Sequence, residues 1–140
     1  MKYFDHKELD KLKKLVEQKS PICIFLWGDL GVGKSTFVQE FVAHTFSDKI
    51  DVKSPTYLKL LEYKNGSESI LHLDCYRIES LQEFEALGFE AYEEYVLCFV
   101  EWPKIFIQYK RKYPELFDGV SFLEIEIVRN DSATSKLLFR

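Results

Sequence analysis

At 140 residues with 46% apolar side chains, the chain has the material for one folded domain over residues 1–140 and little room for a second. Nineteen basic against twenty-three acidic residues give a net charge of −4, which speaks against a domain that grips nucleic acid through bulk positive charge. No apolar run approaches bilayer-spanning length, and the charged start from Lys2 to Asp10 has no signal- or transit-peptide form, so a cytoplasmic protein without membrane contact is expected.

Asp5-His6-Lys7-Glu8 has the form of a capping box, and Leu9, Leu12, Leu15 and Val16 follow at helical spacing, predicting an amphipathic helix to about Gln18. Ser20-Pro21 ends it, and Ile22 to Trp27 reads as a buried strand. A glycine-rich segment follows, then an amphipathic helix from Ser35 to about Phe46. Tyr57 to Tyr63 and Ser69 to Leu73 are strand-like runs joined at Lys64-Asn65-Gly66, where Asn-Gly tolerates the positive φ of a hairpin turn. Ser80-Leu81-Gln82-Glu83 is a second capping box, opening a short helix that stops at Gly88. Val96 to Trp102 is the most apolar strand of the second half, and Pro103 suits the first turn of a helix to Lys112. Asp118-Gly119 turns the chain into a strand from Val120 to Val128, and a turn near Asn130-Asp131 leads to a last strand over Lys136 to Phe139. These elements predict an α/β, P-loop NTPase-like fold: a mixed parallel and antiparallel sheet flanked by helices.

Gly28-Asp29-Leu30-Gly31-Val32-Gly33-Lys34-Ser35-Thr36 carries the chemistry. A triphosphate brings several negative charges, and Gly28, Gly31 and Gly33 let the backbone curl so that consecutive N–H groups point inward. The following helix adds the positive end of its dipole. Lys34 supplies a full charge for the β- and γ-phosphates, and the Ser35 hydroxyl is a ligand for Mg²⁺. Ordinary residue usage produces this pattern about once in a few tens of thousands of positions, and the strand before it and helix after it are the context it requires.

Such a loop needs a carboxylate at a neighbouring strand end to hold the cation or its waters. Asp74 follows Ile70-Leu71-His72-Leu73, and Glu101 follows Val96 to Val100; both are candidates, with Glu101 also placed to orient an attacking water. Thr56, in the loop after the first nucleotide-site helix, has the placement of a switch threonine that senses the γ-phosphate. Arg77 is a candidate for neutralising phosphate or pairing with a carboxylate. His72 has no second His or Cys at ligand spacing and reads as a hydrogen-bonded strand histidine. Cys23, Cys75 and Cys98 are odd in number and widely spaced, as reduced thiols packed in strands would be. The twelve phenylalanines and eight tyrosines read as core, and Lys110-Arg111-Lys112 as a solvated face. No Asn-Lys-x-Asp motif for guanine occurs, which favours ATP.

Taken in order, Gly28 to Thr36, Ser54-Pro55-Thr56-Tyr57, His72 to Arg77, Glu83-Phe84-Glu85-Ala86-Leu87-Gly88 and Glu101-Trp102-Pro103 resemble the TsaE (formerly YjeE) family of small bacterial ATPases. The resemblance implies an ATP- and Mg²⁺-binding protein that acts with TsaB and TsaD in threonylcarbamoylation of the adenosine next to the tRNA anticodon, meeting tRNA only through that complex. By the same resemblance Ser35 and Glu101 hold Mg²⁺, Asp74 lies close by and is needed for hydrolysis, Trp102 lies near the site, and residues Tyr3 to His6 help hold adenine. Two departures stand out: Ser35 where the family usually has Thr, and Val32 where it usually has a small residue. The C-terminal strands carry no matching motif. Two other functions fit the loop: a nucleotide-gated binding module without essential hydrolysis, and a small-metabolite kinase, for which the chain is short. With no arginine but Arg77 near the acid motifs, hydrolysis by the isolated chain is expected to be slow and raised by the partners.

Overall fold

The computed structural model describes residues 4–46, 59–92, 94–131 and 133–140. Among them are helices α1 (His6–Lys19), α2 (Lys34–Thr45), α3 (Leu81–Glu85) and α4 (Lys104–Lys112) and strands β1 (Ile22–Trp27), β2 (Leu60–Asn65), β3 (Glu68–Asp74), β4 (Leu97–Glu101), β5 (Ser121–Arg129) and β6 (Ser135–Phe139). The strands form one sheet in the order β2-β3-β4-β1-β5-β6. Its centre, β3, β4, β1 and β5, is parallel, and β2 and β6 add antiparallel edges through hairpins. The expected mixed α/β sheet is what the chain forms.

Central parallel strands are covered on both faces, and Ile22 to Leu26 and Leu97 to Glu101 are accordingly buried throughout. Side chains alternate between two cores. Ile24, Leu26, Ile70 and Phe99 face α1 and α2, packing with Leu9, Leu12, Phe37 and Phe41. Phe25, Leu71, Leu73 and Val100 face the other way, onto Phe84 of α3, Phe106 and Tyr109 of α4 and the 3₁₀ turn Pro114–Phe117. Aromatic rings meet edge-on within each core, as in Phe37–Phe99 at 5.8 Å and Phe84–Phe106 at 5.7 Å, a geometry their quadrupoles favour. The aromatic residues therefore serve mainly as core.

Local signals performed as their physics predicts, with instructive exceptions. Asp5 caps α1 by accepting from the Lys7 N–H at 2.8 Å, but Glu8 does not close the box. Its carboxylate accepts from the Leu137 N–H of β6, at 3.1 Å. Ser80 caps α3 through the Glu83 N–H, while Glu83 accepts from the Glu79 N–H, one residue before the cap. The β2–β3 pairing continues to Asn65 opposite Glu68, which moves the tight turn one residue on, to Gly66 and Ser67. The 3₁₀ turns at Phe89–Ala91 and Pro114–Phe117 had no clear local signature.

Candidate functional site

All four central strands run the same way, so the C-terminal ends of β1, β3 and β4 lie along one edge of the sheet. In open α/β sheets this edge is where ligands bind. The glycine segment leaves β1 there and turns directly into α2. Gly33 stands at the N-cap with φ 107 and no side-chain cap, so the first N–H groups of α2 keep their donors for a ligand. Gly28 is required for a steric reason: with φ +146, a Cβ there would lie 2.7 Å from the Ile127 carbonyl oxygen and 2.8 Å from Val32 Cγ1.

Inside the loop, the Lys34 ammonium donates to the carbonyls of Gly28, at 2.7 Å, and Asp29, at 3.0 Å. It also sits 4.2 Å over the Trp102 ring. Burial holds its pKa below the usual lysine value, while Glu101, Asp74 and Asp29 pull it back up. Trp102 reaches this position because its backbone adopts φ 54, a left-handed conformation that costs a large residue energy and turns the chain sharply after β4. Its ring also meets that of Tyr76, with centroids 4.8 Å apart.

The two acid candidates come together. Asp74 and Glu101 are direct partners in the β3–β4 ladder, and both line a cavity of about 320 Å³ with Leu30, Gly31, Gly33, Lys34, Ser35, Thr36 and Trp102. Glu101 is buried, at 4% exposure. Its Oε2 accepts from Ser35 Oγ at 3.0 Å and lies 2.5 Å from His72 Nε2. Asp74 Oδ1 accepts from the Tyr76 N–H at 3.0 Å, an Asx turn that ends the strand. Burial pushes the Asp74 carboxyl above its usual range; the Tyr76 N–H opposes that, and the Glu101 charge adds to it. A larger cavity of about 460 Å³ also has Trp102 in its wall, with Leu26, Cys75, Ile78 and Ile105, and is lined by neither carboxylate.

The donor set suits Mg²⁺: a hydroxyl and two carboxylates, all hard oxygens, beside a lysine and a helix N-terminus for phosphate. Among the described residues no group of three or more His, Cys, Asp or Glu could hold a metal alone. A cation that takes one or two protein oxygens and completes its shell with phosphate and water fits that pattern.

The remaining candidates divide. Asp29 is exposed and brings its carbonyl rather than its carboxylate to Lys34; Leu30 lines the cavity and is 70% exposed. Val32 is buried, so the departure from a small residue is absorbed by packing. Arg77 is exposed in the turn after Asp74. Phe4 is a core residue, edge-on to Phe37, and the His6 ring lies tilted against that of His44, with centroids 4.8 Å apart. Thr56 and Tyr3 lie outside the described residues. Three features had no motif to reveal them: the His72–Glu101 contact, the Trp102 backbone, and support of the loop by the C-terminal hairpin. In that hairpin Ser135 Oγ donates to the Val32 carbonyl at 3.1 Å and Arg129 to the Gly31 carbonyl at 3.2 Å.

This sheet edge, with a glycine loop running from strand into helix and facing strand-end carboxylates, has the architecture of the P-loop α/β proteins. Within that class, a family profile described as "Threonylcarbamoyl adenosine biosynthesis protein TsaE" matches residues 5–137, and the chain belongs to the TsaE family. It is 37% identical over 103 residues to a protein of Rickettsia felis named tRNA threonylcarbamoyladenosine biosynthesis protein TsaE, covering 72% of this chain and 60% of that one. A protein of the same name from Haemophilus influenzae is 35% identical over 100 residues, 71% of this chain and 62% of the relative. The match therefore spans less than two thirds of these relatives' length. The crystal structure of Bacillus subtilis YdiB shares the fold, with TM-score 0.55 and 23% identity over 96% of this chain and 79% of that one.

Proposed function

We propose that this chain binds ATP with Mg²⁺ on residues Gly28 to Thr36 and hydrolyses it slowly, in the service of a tRNA-modifying assembly. The observation that carries the reading is the Ser35–Glu101 hydrogen bond at 3.0 Å. It joins the hydroxyl at the start of α2 to the acid at the end of β4, and Asp74 is Glu101's ladder partner.

In this reading the loop N–H groups and the α2 N-terminus hold the phosphates, and Lys34 turns its ammonium to the β- and γ-oxygens. Ser35 and Glu101 hold the cation, with Asp74 beside them. The cation, when bound, neutralises charge on the phosphate oxygens. Glu101 or Asp74 orients the attacking water, and Thr56 senses the γ-phosphate. Family membership supports placing the chain in threonylcarbamoyladenosine formation; TsaB and TsaD are the partners, and tRNA is met through them. Reducing, cytoplasmic surroundings fit three buried free thiols and the lack, among the described residues, of any helix long and apolar enough to cross a membrane.

The test is depletion of the protein, complementation with wild type or Lys34→Ala, and mass spectrometry of tRNA nucleosides. Wild type restores threonylcarbamoyladenosine and K34A does not. Undiminished modification on depletion refutes the pathway, and full rescue by K34A refutes the need for nucleotide.

A further inference from the structure

His72 is wholly buried, and its ring makes one contact that matters to the site. Alternation along β3 places it with Ile70 on the α2 face, opposite Phe99 in the ladder and two residues before Asp74. Nε2 lies 2.5 Å from Glu101 Oε2, while Nδ1 has no hydrogen-bond partner.

We propose that His72 is a positioning residue for the cation side of the nucleotide site: its Nε2–H fixes the Glu101 carboxylate against Ser35. The inference rests on the Mg²⁺–nucleotide reading above. Packing alone does not call for an imidazole here, because beside Phe99 an apolar ring would fill the space without leaving a polar atom unpaired. With its proton on Nε2, the ring is a donor to the carboxylate, and Nδ1 is a bare acceptor rather than a buried N–H without a partner. Glu101 has one more rotatable bond than the aspartate common at this position in P-loop proteins, so its head needs fixing. Oε2 receives it from two sides, Ser35 Oγ on α2 and His72 Nε2 on β3. The bond to Glu101 also occupies the Ser35 proton, which leaves the hydroxyl lone pairs for a cation. Outer partners of this kind act through the group they orient.

The probe is Mn²⁺ binding to the protein–ADP complex, read as free Mn²⁺ by electron paramagnetic resonance, with ADP affinity in EDTA measured alongside. His72→Phe removes the donor and keeps a planar ring; His72→Gln returns an N–H near the Nε2 position. H72F weakens Mn²⁺ binding about 10- to 100-fold, with metal-free ADP affinity within about threefold, and H72Q recovers most of the loss. If H72F fails to fold, His72→Met supplies the arm without a donor. The proposal is overturned by Mn²⁺ affinity of the donor-less variant within twofold of wild type, or by H72Q no better than H72F. It is equally overturned by metal-free ADP affinity that falls in step with Mn²⁺ affinity, or by failure of both donor-less variants to fold. A wild-type protein that binds ADP but no Mn²⁺ overturns the underlying cation reading as well, and that result is separate from any difference among the variants.

Discussion

Gly28→Ala asks how tightly the nucleotide loop is built onto the sheet. Two penalties add at this position. An L residue at φ +146 is strained, a cost of roughly 1–3 kcal/mol. The new methyl also meets the Ile127 carbonyl oxygen at 2.7 Å. That oxygen belongs to β5, one residue beyond the stretch paired with β1 and opposite Leu137 of β6, so it has little freedom to retreat, and overpacking of this kind costs roughly 1–3 kcal/mol. The sum is about 2–6 kcal/mol. With a urea slope of roughly 2 kcal/mol/M for a chain of this size, the unfolding midpoint should fall by about 1–3 M. Gly66→Ala is the control, because Gly66 has φ +63 and a Cβ there has nothing within 4 Å; it should cost only the left-handed penalty, about 1–2 kcal/mol. Urea unfolding followed by circular dichroism separates the two. If G28A and G66A lose the same stability, the close approach of loop to β5 is not the constraint described here.

Other outcomes follow from the same geometry. Glu101→Gln keeps an acceptor for Ser35 but removes the charge; hydrolysis should drop roughly 100-fold or more in a phosphate-release assay, with ADP affinity in EDTA little changed. Ser135→Ala removes the bond to the Val32 carbonyl, and should cost about 1 kcal/mol in urea unfolding. Cys23, Cys75 and Cys98 are buried, and burial holds the Cys75 thiol far above its ordinary pKa, so a thiol reagent at pH 8 should label none of them until the protein is denatured. The carboxyls of Asp10, Glu83, Glu85 and Asp131 are held below their ordinary values by hydrogen bonds from His44, Lys59, Lys112 and the Ala133 N–H respectively. The unfolded chain then binds more protons, so their contribution is fully present above the unfolded values of 3.8 and 4.5 and is lost as pH falls through the lower folded values. Asp74 has the opposite sign: with its carboxyl raised, the folded chain binds more protons, so stability falls as pH rises from the unfolded value of 3.8 and the loss is complete above the folded value. Asp74→Asn should therefore raise the urea midpoint at pH 7 in the absence of nucleotide, with the gain shrinking toward pH 4, while hydrolysis is lost.

The amino-acid sequence by itself determined the parts whose physics is contiguous. Nine neighbouring residues, Gly28 to Thr36, contain the glycines, lysine and hydroxyl of a phosphate cradle, and a strand and helix flank them as periodicity predicts. Caps at Asp5 and Ser80 and the β2–β3 hairpin are likewise short-range, whereas the helix expected to stop at Gly88 already ends at Glu85, and Gly88 leads into the 3₁₀ turn Phe89–Ala91. What tertiary structure alone decided is how distant segments meet. Sequence left Asp74 and Glu101 as two candidates; the parallel β3–β4 register makes them neighbours in one site. That register follows from burial of both strand faces and from a long crossover, neither of which leaves a local pattern. The same holds for His72 against Glu101, 29 residues away, and for the clasp of Ser135 on Val32, 103 residues away. It holds too for Glu8, whose capping-box form is local but whose partner is Leu137, 129 residues on. A single hydrogen bond across such separations has no periodicity to betray it, and only closure of the sheet brings the C-terminal hairpin beneath the loop.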